Sequence, residues 1–329
     1  MAKYIIKRVL YMIPTLFVIS LISFTIIQLP PGDFLTSYVA QLRAQGEDLD
    51  AQAIQALQDQ YGLNQPIYVQ YGKWISNIVT RGDFGLSFEW RRPVSELIWD
   101  RLGLTVFISL LTIIVTWIVA IPAAVYVATH QYSFLDYLFS FISFIGLGTP
   151  GFLVALVYLW YMLSVFNSNA SGLFSQQYID APWSLAKFEN MMGRIWAPVL
   201  ILALENTAGI IRTVRANLLD ELNKPYVETA RAKGLRERAL TWKYPVRVAL
   251  NPFFSTVGWT LVTVISGEIL VAVVLNVQTA GPLLLRALLS QDMYLAGALV
   301  MLLSVLTVLG TLFSDILLAW ADPRIRMEG

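Results

Sequence analysis

Six stretches of the chain stay apolar long enough to cross a lipid hydrocarbon core: residues 9–29, 104–129, 137–166, 195–211, 252–275 and 294–320. A helix rises about 1.5 Å per residue and needs roughly 20 apolar residues for that purpose, since inside lipid every backbone amide must be bonded within its own segment. The pattern predicts an all-α integral membrane protein, one domain over residues 1–329, with six transmembrane helices. Between them lie a polar segment at 30–103, a short link at 130–136, a loop at 167–194 and a charged loop at 212–250. The fourth stretch is the shortest and carries Glu205.

Composition agrees with lipid as the solvent: 57% of residues are hydrophobic and 14% charged, with mean hydropathy +0.61, whereas a soluble domain carries about 25% charged residues. Lys3, Lys7 and Arg8 precede a charge-free run that ends at Pro31. That run is about twice the length of a secretory h-region and lacks a small-x-small cleavage site, so it reads as an uncleaved first transmembrane helix. There is no cysteine, which excludes disulfides, thiolate nucleophiles and Cys-ligated zinc. A net charge of +1 offers no field for nucleic acid.

Lysine and arginine near span ends are retained in the cytoplasm. With six spans, Lys3, Lys7 and Arg8, nine basic residues from Arg212 to Arg247, and Arg324 with Arg326 all fall on one side. Both termini of this multi-pass protein are thus expected on the cytoplasmic side. Segments 30–103 and 167–194 are then external. In the first, Ile54, Leu57 and Tyr61 have amphipathic-helix spacing closed by Gly62; the second contains Tyr178, Pro182 and Trp183.

A membrane bundle has no need of a forty-residue charged loop, so loop 212–250 is expected to receive a partner. In its centre Asn223 can cap a helix, Pro225 suits its first turn and Gly234 suits the left-handed residue that ends it. Ala230 and Ala232 would let another surface approach closely. A helix of about ten residues is marginal alone in water and must pack on something.

Glu228-x-Ala230-x3-Gly234, in a basic loop before the penultimate span, resembles the "EAA" loop of ATP-binding-cassette importer permeases. Further likeness comes from Lys7-Arg8 followed by Pro14, from the stretches at 60–66 and 226–235, from Arg81-Gly-Asp-Phe-Gly-x-Ser87, and from Asp322-Pro-Arg-Ile-Arg326. Together they resemble the B-type subunit of the dipeptide/oligopeptide permease family along the whole chain. Asn251 before Pro252, and 271–281 without the family's acidic-Thr-Val-Phe-Ser-Trp-Pro-Gly pattern, depart from it; Ala272 stands where that pattern is acidic, one turn after Glu268. The resemblance implies that Tyr226, Glu228, Ala230, Ala232, Lys233, Gly234 and Leu235 form a coupling helix seated in an ATPase subunit. It also implies a second homologous permease, two ATPase subunits that hold the ATP and Mg, and an external substrate-binding protein. This chain would bind no cofactor and carry no enzymatic step. Peptide import is the implied function, with oligosaccharide import as the alternative.

Other motifs carry less. Gly146-x-Gly148-x-x-Gly151 copies a dinucleotide fingerprint but lies among apolar residues beside Pro150, where close packing or a kink explains it. Asp83-Phe84-Gly85 has no accompanying kinase elements, and no Gly-x4-Gly-Lys-Ser/Thr phosphate loop is present. His130, the one histidine, has no ligand set beside it. Ionisable groups at membrane depth cost at least about 2.5 kcal/mol on insertion scales and face a watery path or a partner. Glu205 with Asn206 and Thr207, and Glu268 with Ser266, are candidates either to line a translocation path or to pair within the bundle; Asp315 reads as structural. A secondary transporter or channel would show an inverted repeat with paired broken helices or a chain of mid-membrane acids, and neither pattern is seen.

Overall fold

The computed structural model describes residues 2–28, 55, 65–87, 89–179, 181–251, 253–254, 264 and 268–321. Expectations for the helix at 50–61, for most of 252–267 including Ser266, and for 322–326 lie outside the described residues. The helices are α1 (Ala2–Gln28), α2 (Ile67–Arg81), α3 (Val94–Thr129), α4 (Phe134–Gly148), α5 (Gly151–Phe166), α6 (Leu185–Leu222), α7 (Pro225–Ala232), α8 (Glu237–Lys243), α9 (Pro245–Ala249), α10 (Glu268–Leu275), α11 (Ala280–Leu289) and α12 (Met293–Ala321). Four of them, α1, α3, α6 and α12, are long and apolar enough to cross a membrane; the number rises to six if each of two bent pairs counts as one span.

The bent pairs have local causes. Thr149, next to Pro150, is extended (φ −110°, ψ 116°), as the proline ring disfavours helix in the residue before it, and α4 meets α5 at 100°. The expected span 137–166 is therefore two helices. At Gly146 a β-carbon would lie 3.2 Å from that of Ala208, so this glycine lets α4 press on α6. The second pair, α10 and α11, bends by 87° across Asn276 (φ +53°). The turn is tied by Val277 N–H donating to Ala272 O at 2.8 Å, and Ala280 N–H donating to Thr105 Oγ1 at 2.8 Å starts α11. Helix α11 has no counterpart among the expected spans: ten residues are too few to cross a bilayer, so a hydropathy pattern passes over them.

The chain divides into two compact units: Met1–Val9 with Leu104–Gly281 and Thr307–Gly329, and Leu10–Gly103 with Pro282–Leu306. In the first, Ile108, Ile195, Leu202 and Leu275 are among the residues of one buried cluster, and Ala124, Ile211, Val214 and Phe253 belong to a second. Arg8 pairs with Asp315 at 3.2 Å, which gives Asp315 a structural role. In the second unit Ser20 and Tyr71 share a hydrogen bond of 2.7 Å, and Phe24 packs on Tyr71 and Trp74.

The Arg81–Ser87 motif acquires a structural meaning in that second unit. Gly82 (φ +65°) ends α2 with its N–H on Ile78 O. Ser87 Oγ donates to Asp292 Oδ2 at 2.5 Å, Glu89 N–H donates to the same oxygen, and Leu295 N–H donates to Oδ1, so the fully buried Asp292 caps α12 and clasps the loop. Gly85 sits at φ +95°, and a β-carbon there would fall 2.8 Å from Tyr294 Cδ1. Gly85→Ala is expected to cost at least about 1–3 kcal/mol through backbone strain alone. Thermal unfolding of the purified protein would read that loss; an unchanged midpoint would remove the role given to the glycine.

Candidate functional site: the coupling helix and its root

Helix α7 occupies the centre of the charged loop. Pro225 stands at its first position, and Gly234, with φ +79°, follows its end. Asn223 does not cap it. Helix α6 runs on to Leu222, eleven residues beyond the expected span end, and Asn223 Nδ2 donates to Leu219 O at 3.0 Å, closing α6 instead. Lys224 takes the cap position with backbone groups alone: its carbonyl accepts from Val227 N–H at 2.9 Å.

The two alanines part company. Ala230, 7% exposed, packs with Val227 and Leu240, flanked by Leu235 and Tyr244, so it is small because α8 lies against it rather than to admit a partner. Ala232 is exposed, together with Tyr226, Glu228, Lys233 and Gly234. A buried root and an exposed tip result from the 3.6-residue period: Val227 and Ala230 lie three apart on one face. Polar pairs stiffen the tip. Tyr226 Oη donates to Glu221 Oε2, and partial burial with that hydrogen bond holds the phenol above its usual pKa. Arg231 forks onto Glu237, with Nε donating to Oε1 at 2.5 Å and Nη2 to Oε2 at 3.3 Å, which keeps the Glu237 carboxyl below the usual range. Glu228, in the first turn of α7, is placed where the helix dipole favours an acid.

From this root, packing continues toward the spans. Helix α9 follows α8 directly, and its Val246 and Ala249 join Leu218 of α6 and Val125 and Ala128 of α3 in one buried cluster. Beside it Asp136, at the start of α4, receives Arg215 of α6 through two parallel hydrogen bonds, Nε to Oδ1 and Nη2 to Oδ2, both 2.8 Å. Ser133 Oγ accepts from Asp136 N–H, and Tyr132 N–H donates to Oδ2 at 3.0 Å. Sequence reasoning missed this pair: the partners are 79 positions apart and each looks like an ordinary loop charge.

The expected path residues are not brought together. Glu205 is exposed on α6; Asn206 Nδ2 donates to Leu202 O at 2.9 Å, within its own helix; Thr207 is half-buried. Glu268 is 3% exposed, with Oε1 lacking a hydrogen-bond partner among the described residues. No hydrogen bond or ion pair joins Glu205 to Glu268 among those residues. A seam the pattern did not reveal lies on α3, where Ser109, Thr112 and Thr116 are buried at helical spacing with hydroxyls unpartnered among the described residues. Lys187 is buried with no acidic partner among the described residues: Nζ donates to Ala181 O at 2.6 Å and Ile179 O at 3.2 Å and lies over the rings of Phe174 and Trp183. Among the described residues no group of three His, Cys, Asp or Glu side chains is arranged to hold a metal.

Residues 120–327 match the sequence pattern of a binding-protein-dependent transport system inner membrane component, and residues 1–110 match the N-terminal part of the same class of membrane component. The oligopeptide transport system permease protein AppB of Bacillus subtilis is 35% identical over 326 residues, covering 99% of each chain. The glutathione transport system permease protein GsiC of Escherichia coli is 31% identical over 328 residues, covering all of both chains. The dipeptide transport system permease protein DppB of Alkalihalophilus pseudofirmus is 28% identical, covering 99% of this chain and 100% of the relative.

Proposed function

As the chain belongs to the family of binding-protein-dependent transport system inner membrane components, we propose that it is the B-type permease subunit of an ATP-binding-cassette importer carrying di- and oligopeptides. It spans the cytoplasmic membrane of a prokaryote six times, at residues 9–29, 104–129, 137–166, 195–211, 252–275 and 294–320, with both termini inside. A second homologous permease completes the path, two ATPase subunits hold the ATP and Mg, and an external binding protein delivers substrate to the 30–103 and 167–194 segments. The names of the full-length relatives, for oligopeptides, dipeptides and glutathione, favour peptides over oligosaccharides. Family membership along the whole chain disfavours a transporter that works without an ATPase.

The observation that carries the reading is the split character of α7: Val227 and Ala230 root it on α8, while Tyr226, Glu228, Ala232, Lys233 and Gly234 are left exposed. An ATPase groove that receives the exposed face would push on α8 and α9 and so on the inner ends of α3 and α6. Closure driven by ATP moves these elements together and opens the path outward; hydrolysis reverses it. The path is assigned to the neighbourhood of Glu205, Asn206, Thr207, Ser266 and Glu268, with Glu205 on an outer face that the second permease would cover.

The test is ATP-driven uptake of a labelled tripeptide into proteoliposomes holding the full complex, with and without the binding protein. Gly234→Val is expected to lower uptake at least about tenfold, because a β-branched residue at positive φ costs about 1–3 kcal/mol. Gly234→Asn, which tolerates that conformation, should retain most of it. A β-carbon at Gly234 meets nothing within 4 Å in the chain itself. Normal uptake by the valine variant would overturn the coupling role; uptake that needs no ATP would overturn the importer reading.

A further inference from the structure

A cavity of about 450 Å³ lies where the loop 167–179 meets the ends of α6 and α10, lined by Asn169, Ser171, Gln176, Arg194, Asn276 and Gln278 among others. Its walls are tied by tertiary hydrogen bonds. Gly172 N–H donates to Leu275 O at 2.7 Å, Ser175 N–H donates to Asn190 Oδ1 at 2.8 Å, and Asn190 Nδ2 donates back to Ser175 Oγ at 2.9 Å. Lys187 is spent on loop carbonyls and aromatic rings. Arg194 is the one cation lining the cavity among the described residues. It is half-buried and has no acidic partner among the described residues. The other polar walls are amides and hydroxyls, and Asn169 Oδ1 is already taken by Ser171 N–H and Oγ, which leaves its amide donor group for something else.

A half-buried guanidinium costs free energy unless an anion meets it, and the planar match of guanidinium to carboxylate is its strongest pairing. We propose that this cavity is a carboxylate-binding site in which Arg194 is the principal ligand-binding residue and the amides of Asn169 and Asn276 are secondary donors. The source is the C-terminal carboxylate of the peptide as it leaves the binding protein, or an acidic side chain that the binding protein inserts. The proposal rests on the importer reading and on the external side assigned to the loop. Among the described residues the lining carries a single cation, which fits a terminal carboxylate better than a phosphate.

The experiment uses the full complex in proteoliposomes with saturating binding protein, and trialanine and trialanine amide as probes. Arg194→Gln is expected to lower the ratio of trialanine to amide uptake about tenfold, the scale of a charge-assisted hydrogen-bonded pair, with Arg194→Lys keeping part of it. An unchanged thermal midpoint of the variant complex shows that it has folded. In a second arm, peptide-free binding protein is titrated onto the complex in nanodiscs. If Arg194→Gln weakens that docking and lowers uptake of both probes alike, the site is upheld and its carboxylate is the binding protein's. The proposal is overturned if neither the uptake ratio nor docking changes. It is also overturned if Asp180→Asn, the acid that follows Ile179 in the sequence, reproduces the Arg194→Gln result, since the arginine would then be serving its own loop. Should neither probe enter with the wild-type complex, the peptide reading fails and the docking arm alone decides the site.

Discussion

Asp136→Ala is expected to lower the unfolding free energy by about 3–5 kcal/mol, because it leaves the guanidinium of Arg215 facing a void where a carboxylate had met it through two bonds. Asp136 has 4% of its side chain exposed and Arg215 26%, so solvent can relieve the abandoned arginine only in part. The loss goes beyond one pair, since the same carboxylate accepts Tyr132 N–H and so fixes the turn into α4. Arg215→Ala should cost a similar amount by stranding the acid. In Asp136→Leu with Arg215→Leu both charges are gone, and the double variant should be more stable than either alanine variant. Thermal unfolding of the four purified proteins measures this. If Asp136→Ala melts with wild type, or if the double variant is worse than both singles, the pair does not hold α4 to α6.

Ala232→Trp is expected to abolish ATP-driven uptake and to release the ATPase subunits, with at least about a hundredfold loss in co-purified ATPase. Ala232 is exposed at the tip of α7, so a large ring there would fill the space that an approaching surface requires. Ala230→Trp makes the contrast: that position is packed against Val227 and Leu240, so overpacking should lower the stability of the loop itself by about 1–3 kcal/mol. Ala232→Ser should be close to neutral. Full retention of ATPase by Ala232→Trp, in a chain that is inserted and folded, would move the docking surface away from this face.

The fold places these two residues on one mechanical line. Helix α7 rests on α8 through Leu240, α9 continues α8 and packs on Leu218, and Arg215, one turn before Leu218 on α6, holds α4. A force applied at Ala232 would therefore reach two apolar helices through packed side chains, without crossing a flexible linker. Weakening the Asp136–Arg215 pair should accordingly reduce the number of peptides moved per ATP hydrolysed even where the complex remains assembled.

Much of this was legible in the chain because it is written locally. Long apolar runs announced α1, α3 and α12, since lipid demands apolar residues at every position of a span whatever its neighbours. Pro225 and Gly234 located helix α7, because ring closure and positive φ act within a few residues. Pro150 suggested only close packing or a kink inside one span, whereas α4 and α5 meet there at 100°. What the sequence could not state was partnership. Asp136 and Arg215 look like loop charges until α4 and α6 lie side by side, and Asp292 looks like an external acid until Ser87 reaches it from 205 positions away. The cap of α7 passed from Asn223 to Lys224 because α6 remained helical beyond its apolar part. The inward turn of Ala230 required α8 to be present. Local chemistry determined the longest apolar helices and the Pro225 start and Gly234 end of α7; the choice of partner for each buried polar group depended on packing between distant segments, which no local pattern encodes.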